Sequence, residues 1–342
     1  MKKCLSLLVA LCLLFPVVLA ETTFYYTTES VTDCANTNAM YDKFYAAGEL
    51  SVHIPGCAQD LVPQGVDYLD NENWLLIAGY SSGTTNSSLV CVDMETDQVV
   101  KEVFLCNVDG SSYTGHAGGV CVTEKNIYIS NNEHLYRISL EKFRALPASS
   151  YCSFDEAIPV PCRSSYCAYA DGILWVGEFQ YGTDYSTDRS HRFKSADGYQ
   201  RAWACGYVLD QSTENELKAE CITAEGAVPD YLLSTTERIQ GMTFSNNQFY
   251  LSQSYGRKAS SCFYRYENVL ENAPDGEGTV YGKTVPLWVL DSDVRTGVLM
   301  APPMSETMCE VDGAVYVIFE SGAEKYRDAA NPIDRAFKLT GF

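Results

Sequence analysis

Histidine is scarce in this chain: His53, His116, His134 and His191 are the four among 342 residues. There is no C-x-x-C pair and no H-E-x-x-H, so the spacings that mark zinc sites are missing. Positive charge is also thin. Against 44 Asp and Glu stand 24 Lys and Arg, a formal net charge of -20. A surface of that sign repels phosphate backbones and anionic bilayers, which argues against nucleic acid as a partner. Beyond residue 20 no apolar run is long enough to span a membrane, so the chain is not expected to be membrane-embedded. No amphipathic helical stretch is long enough to cover a parallel sheet, which sets aside an α/β fold.

What is present begins with MKKCLSLLVALCLLFPVVLA. Lys2 and Lys3 precede an apolar run, and Val18-Leu19-Ala20 makes a cleavage site before Glu21, the pattern of a secretory leader. Leu11 stands where a lipoprotein signal at Cys12 would need a small residue. The expected product is a secreted, extracellular protein, a monomer of about 320 residues. Of 14 cysteines, Cys4 and Cys12 fall in the leader, and the rest are even in number. In an exported chain that favours disulfides. Opposed hairpin positions have a constant index sum, which pairs Cys91 with Cys106 and Cys205 with Cys221. Cys34–Cys57 and Cys152–Cys162 are looser pairings. Cys121, Cys167 and Cys309 share one repeat position and receive no partners.

The repeat itself recurs five times. PQGVDY (63–68), AGGVCV (117–122), RSSYCAY (163–169), IQGMTF (239–244) and SETMCEV (305–311) each lead from a polar or small pair into a short apolar strand. The aligned first positions are Gln64, Gly118, Ser164, Gln240 and Glu306, at intervals of roughly 45 to 75 residues. Each is followed by a turn and a stronger strand: WLLIAGY, IYIS, ILWVGEF, FYLSQSY and AVYVIFE. Third strands follow, such as SLVCVDM and RAFKLTGF. Aromatic and β-branched residues dominate, as half-buried strands require. This is an all-β chain, a β-propeller of five four-stranded blades. The last repeat ends after its third strand, and ELSVHIPG (49–56) is a spare strand that closes that blade. A sixth blade within residues 180–238 or 21–50 is the alternative. The expected organisation is a leader (1–20), an N-terminal extension (21–48) and one propeller domain (49–342).

GYSSG (79–83) fits the nucleophile pattern G-x-S-x-G. A nucleophile elbow needs a helix after its turn. Here SGTTNSS and another strand follow, so Ser81 reads as a turn residue.

Antiparallel geometry places the start of each first strand and the end of each second strand at one mouth. The residues gathered there include Gln64, His116, Gln240, Glu306, Tyr80, Asn131, Asn132, Glu178, Tyr255, Arg257, Glu320 and Arg327. Glu178 and Glu320 end bulky apolar strands, where burial raises a carboxyl pKa toward acid–base use, with His116 as partner. Arg257 and Arg327 suit anionic oxygens, Tyr80 and Tyr255 suit stacking, and Gln64, Gln240 and Glu306 suit hydrogen bonding. No cofactor is required, although acidic and amide oxygens at a mouth would also suit Ca²⁺.

PQGVDY, YTGHAGGV, LWVGEF, IQGMTF with LSQSYGR, and APPMSE with FESGAEKYR resemble, in that order, a group of secreted β-propeller proteins of Gram-positive bacteria. That group is distantly similar to the lactonase and strictosidine-synthase-like propellers. The resemblance covers roughly residues 50 to 342 and implies export and a propeller. By analogy with the calcium lactonases, Glu306, Asn131 and Asn132 match part of a central metal set, while the acid–base aspartate has no counterpart.

The leading expectation is an exported propeller that binds a small polar molecule, carbohydrate or carboxylate-like, at its mouth. A hydrolase or lyase using Glu178, Glu320 and His116 is the alternative. A protein-interaction scaffold, drawing on 24 tyrosines, is a further one.

Overall fold

The computed structural model describes residues 22–83 and 85–342. The expected leader, with Cys4 and Cys12, lies outside the described residues. Five sheets form a five-bladed propeller arrangement. The inner strands are Leu61–Leu69, Gly119–Val122, Tyr166–Ala170, Ile239–Ser245 and Ser305–Val311. Each lies beside the next, and the fifth lies beside the first.

The second strands read as continuous apolar runs because blades cover both of their faces. Leu75, Leu76, Ile77 and Ala78 of blade 1 are all fully buried. Tight turns join first and second strands. Asp171-Gly172, Asn246-Asn247 and Asp312-Gly313 all have positive φ at both central positions, the geometry whose twist suits a two-residue hairpin. The repeated small residue of the inner strands is explained by crowding around the channel. A Cβ on Gly65 would lie 2.6 Å from the Val120 nitrogen, and one on Gly241 would lie 2.4 Å from the Thr307 Cα.

Blades 2, 4 and 5 have four strands, but the expected uniform count fails for the other two. Blade 1 has five strands and blade 3 has six. The reason is the same in both. The insertion after the third strand of blade 2 carries Ser149–Ser153, which pairs in parallel with the outer strand Gln98–Cys106 of blade 1. The insertion after the third strand of blade 4 carries the hairpin Gly276–Val280 and Lys283–Val289, which pairs in parallel with Tyr231–Thr235 of blade 3. Each insertion thus covers the exposed edge of the preceding blade.

In blade 5, Gly48–His53 pairs with Arg335–Leu339, Gly48 opposite Leu339. The chain before it is held by buried carboxylates. Asp334 accepts from the Val31 and Thr32 nitrogens at 2.6 and 3.0 Å, and Glu102 accepts from those of Tyr25 and Tyr26. Among the described residues no helix is long and apolar enough to cross a membrane.

The expected cysteine pairs are not formed: every cysteine among the described residues is a buried free thiol. Register accounts for the two hairpin pairs. Cys91 faces Lys101, with Cys106 further along that strand. Cys205 faces Leu232, while Cys221 sits in a 3-10 turn before that strand begins. Cys34 donates instead to Asp334 at 3.1 Å, and Cys162 to the Val176 carbonyl at 3.5 Å.

Candidate functional site

At the mouth lies a cavity of about 560 Å³. Its floor is built by three irregularities in the inner strands. Pairing slips between Pro63 and Gly65, between Ile239 and Gly241, and between Ser305 and Met308. Gln64 and Gln240 are the extra residues of two of these bulges, and Glu306 lies within the third. A bulge re-aims a side chain that regular alternation would place elsewhere. Glu320 arrives from the other arm of the same hairpin, as the first residue of the 3-10 turn Glu320–Gly322.

The four side chains meet in a row. Gln64 Nε2 donates to Glu320 Oε2 at 3.0 Å, and Gln240 Nε2 donates to Glu306 Oε1 at 3.1 Å. Between them the two carboxyls lie within hydrogen-bonding reach of each other. Burial and the Glu320 charge push Glu306 well above the usual carboxylate range. Burial also raises Glu320, to about 7, against the opposing influence of Gln64, Lys325 and Arg257. Two carboxylates in contact cannot both ionise. Above about pH 7 the pair therefore holds one proton, on Glu306, and Glu320 is the member that carries charge.

The scaffold beneath is stiff. Thr307 Oγ1 donates to the Gln64 carbonyl at 3.0 Å and accepts from the Val66 nitrogen at 2.7 Å, latching blade 5 to blade 1. Ser254 and Ser261 hydroxyls accept from the Met304 and Ser305 nitrogens. Met304 has a φ of 67, a left-handed conformation that these bonds hold in place.

His116 lines the cavity and stacks on Tyr80, ring centroids 4.8 Å apart. Burial, with Lys325 nearby, pushes its pKa down to about 4, so it is a neutral hydrogen-bonding group at neutral pH. Tyr80 supports that ring from behind, its hydroxyl bonded to Tyr326 at 3.1 Å and to Lys325 at 2.8 Å. One wall is aromatic: Phe179, Tyr185 and Tyr255 line the cavity, and Tyr181 extends it, 4.5 Å from Tyr255. Tyr185 and Tyr255 keep 43% and 39% of their surface exposed. They are not core residues.

Sequence reasoning and structure differ at several positions. Gln64, His116, Gln240, Tyr255, Arg257, Glu306 and Glu320 all line the one cavity. Glu178 does not. Its carboxylate is 1% exposed and accepts from His191 Nδ1 at 2.8 Å, the Trp203 nitrogen at 3.0 Å and the Arg163 nitrogen at 3.1 Å. His191 in turn stacks on Trp203 at 3.8 Å. This pair borders a separate cleft of about 280 Å³. Arg327 turns away from the mouth and donates to the Cys57 carbonyl at 2.6 Å. Arg257 reaches the cavity but is engaged by Asp328 at 2.5 Å and lies over the Tyr326 ring. Phe179, Tyr185, Tyr326 and Arg163 were missed. The one signal for Phe179 and Tyr185 was the tyrosine-rich stretch EFQYGTDY directly after a second strand. Ser81 donates to Asp60 and accepts from the Gly83 nitrogen, a turn arrangement with no histidine bonded to its hydroxyl.

The donors facing Glu306 and Glu320 are amide nitrogens, and the Asn131 amide nitrogen sits against Gly115 and Tyr113. Among the described residues no three His, Cys, Asp or Glu side chains cluster as metal ligands. Glu306, Asn131 and Asn132, the set matched by analogy with the calcium lactonases, all line the one cavity.

No protein-family model matches the chain, and no curated protein matches it. Solved structures similar to it include a glutaminyl cyclase of Myxococcus xanthus, with 9% identity, 85% of this chain and 94% of that one covered, and a TM-score of 0.43. A GH43_1 enzyme of Xanthomonas citri complexed with xylose has 11% identity, 88% and 92% coverage, and a TM-score of 0.42. A putative glucose dehydrogenase of Thermus thermophilus has 12% identity, 86% coverage of each chain and a TM-score of 0.41. At such scores the function rests on the geometry of the site.

Proposed function

We propose that the protein is an exported, monomeric propeller enzyme that performs acid–base chemistry, hydrolysis or elimination, on a small uncharged polyhydroxylated molecule. The observation that carries this reading is the contact between Glu306 and Glu320 at the floor of an open cavity. A buried carboxyl pair costs stability, and nothing in the packing of blade 5 calls for one. Glu320 as base takes a proton from water or a substrate hydroxyl, while Glu306 as acid gives its proton to a departing oxygen. His116, neutral, hydrogen-bonds the ligand.

The contact also limits the reaction. Glycosidases that use two carboxyls hold them roughly 5–5.5 Å or 6.5–9.5 Å apart, and a pair within hydrogen-bonding reach is closer than either. The shared-proton arrangement, which activates one water between two carboxyls, fits better. A neutral ligand is favoured over a carboxylate because the rim cations are engaged. Arg257 is paired with Asp328, Lys325 with Tyr80, and Arg163 with the Ser186 carbonyl at 2.8 Å. Export follows from the leader in residues 1–20 and the resemblance to secreted propellers, and the Gly48–His53 strand is the piece that closes the ring. Nucleic acid has no part in this reading.

Thermal shift against neutral sugars, sugar lactones and small organic acids, with wild type and Glu320→Gln compared, tests the proposal. A neutral ligand that stabilises both proteins and is turned over only by the wild type supports it. A ligand bound equally and turned over by neither makes the mouth a binding site without chemistry.

A further inference from the structure

Four cysteines lie along the junction of blades 2 and 3 in a way that no hairpin rule anticipates. Cys121 in the inner strand of blade 2 is the direct partner of Tyr128, and Cys167 in the inner strand of blade 3 places its sulfur 3.6 Å from the Tyr128 carbonyl. The same relationship recurs next door. Cys205 is the direct partner of Val176, and the Cys162 sulfur lies 3.5 Å from the Val176 carbonyl. In each case one sulfur rests on the carbonyl of the residue opposite the other cysteine. All four side chains belong to one apolar cluster and are at most 2% exposed. Burial raises the Cys121 and Cys205 thiols, and the neighbouring Cys167 and Cys162 sulfurs are close enough to raise them further.

We infer that the oxidised protein carries two disulfides, Cys121–Cys167 joining blades 2 and 3, and Cys162–Cys205 fastening the chain that enters blade 3. The second bond bears on the mouth. Cys162 immediately precedes Arg163 and Ser164, which both line the cavity, and Ser164 has a φ of 45. A covalent anchor beside a left-handed residue holds that wall of the mouth in one conformation. The two loops interlace along the chain, each roughly 45 residues long, a length at which closure removes substantial freedom from the unfolded chain.

Formation is thiol–disulfide exchange with a carrier disulfide, the class of oxidant available to exported proteins. One protein thiolate attacks a carrier sulfur and the second protein thiol displaces it. Two protein S–H bonds give way to one S–S bond, and the carrier leaves as a dithiol. Burial disfavours the thiolate, so exchange takes place before the blades close.

The test is peptide mapping by mass spectrometry after alkylation without reduction, on two preparations. One is protein exported through its own leader; the other is reduced, unfolded protein refolded with oxidised and reduced glutathione. Linked peptides joining Cys121 to Cys167 and Cys162 to Cys205 in both are the expected result. The same links in the refolded sample alone would uphold the pairing and overturn export. Four alkylated thiols in both samples, or links to other cysteines, would overturn the inference. As a second readout, Cys162→Ala, Cys205→Ala and the double variant are expected to lose the same Tm, roughly 10 °C, because any one change removes the whole bond. Additive losses would show independent buried thiols.

Discussion

Glu306 and Glu320 come from opposite arms of one hairpin and meet at its mouth end, where Glu306 sits within a bulge and Glu320 begins a turn. Their contact has a consequence for stability. The raised Glu320 pKa, about 7 against an ordinary value of 4.5, means that the folded protein binds more protons than the unfolded chain between those values. Stability is then fully present below about pH 4.5 and falls as pH rises toward 7. The loss expected is on the order of 2–3 kcal/mol. Urea denaturation across this range should show the decline in wild type and a flatter profile in Glu320→Gln. Equal slopes in the two proteins would mean that the carboxyls titrate normally.

The same pair predicts a kinetic signature. If ionised Glu320 is the base, turnover rises with pH through about 7 and levels off above it. Glu320→Gln should lower kcat by roughly 10²- to 10⁴-fold with KM little changed. Glu306→Gln should be comparably slow, since an amide has no acidic proton to give to the departing oxygen. A rate insensitive to both substitutions would remove the dyad from the chemistry.

Much of this site was legible in sequence because inner strands repeat. Gln64, Gln240 and Glu306 fall at equivalent positions, and hairpin logic alone brings Glu320 to their level. Glu178 obeyed the same logic and still ended elsewhere. The long insertion after its strand folds back and delivers His191 to it, a contact that no local pattern announces. The added strands of blades 1 and 3 were hidden for a related reason. Ser149–Ser153 has no hairpin partner in sequence to reveal it, and the hairpin of Gly276–Val280 with Lys283–Val289 lies within blade 4 in sequence but pairs with blade 3. Of the two hairpin pairings, Cys91 failed because it faces Lys101, five positions short of Cys106, and Cys205 because Cys221 lies in a turn outside the partner strand.

Glu178 and His191 are therefore expected to matter for folding and not for the reaction. Glu178→Ala leaves the Arg163 and Trp203 nitrogens without their acceptor, at a cost of several kcal/mol. His191→Ala should cost less. Both variants should retain wild-type KM for any substrate found, measured at a temperature where they remain folded. A large change in KM or kcat from His191→Ala would assign the second cleft a part in turnover.

The aromatic wall and the two arginines separate recognition from support. Tyr255→Ala removes a partly exposed ring from the cavity and is expected to weaken ligand binding roughly five- to tenfold, with Tm nearly unchanged. Arg327→Ala should do the reverse. It deletes the bond to the Cys57 carbonyl, worth about 1.5–3 kcal/mol, and leaves affinity alone. Isothermal titration beside thermal denaturation of both variants reads the two quantities separately. Loss of affinity in Arg327→Ala would return that guanidinium to the mouth.

Asp334 is the point where the two ends of the described chain depend on each other. It is 1% exposed and accepts from Val31, Thr32 and Cys34, while its own carbonyl accepts from the Ile54 nitrogen at 2.8 Å. The neighbouring Arg335 lies opposite His53 in the strand pairing. Replacing the carboxylate by alanine strands these donors in a buried place, at a cost of about 2–4 kcal/mol. The local effect is more diagnostic than the total. Hydrogen exchange in Asp334→Ala should accelerate first in residues 22–34 and in Gly48–His53, while the second strands of blades 2 and 3 keep their protection. Uniform acceleration across all five blades would mean that the N-terminal strand and the ring unfold as one unit, and that Gly48–His53 is integral to blade 5 from the first step of opening.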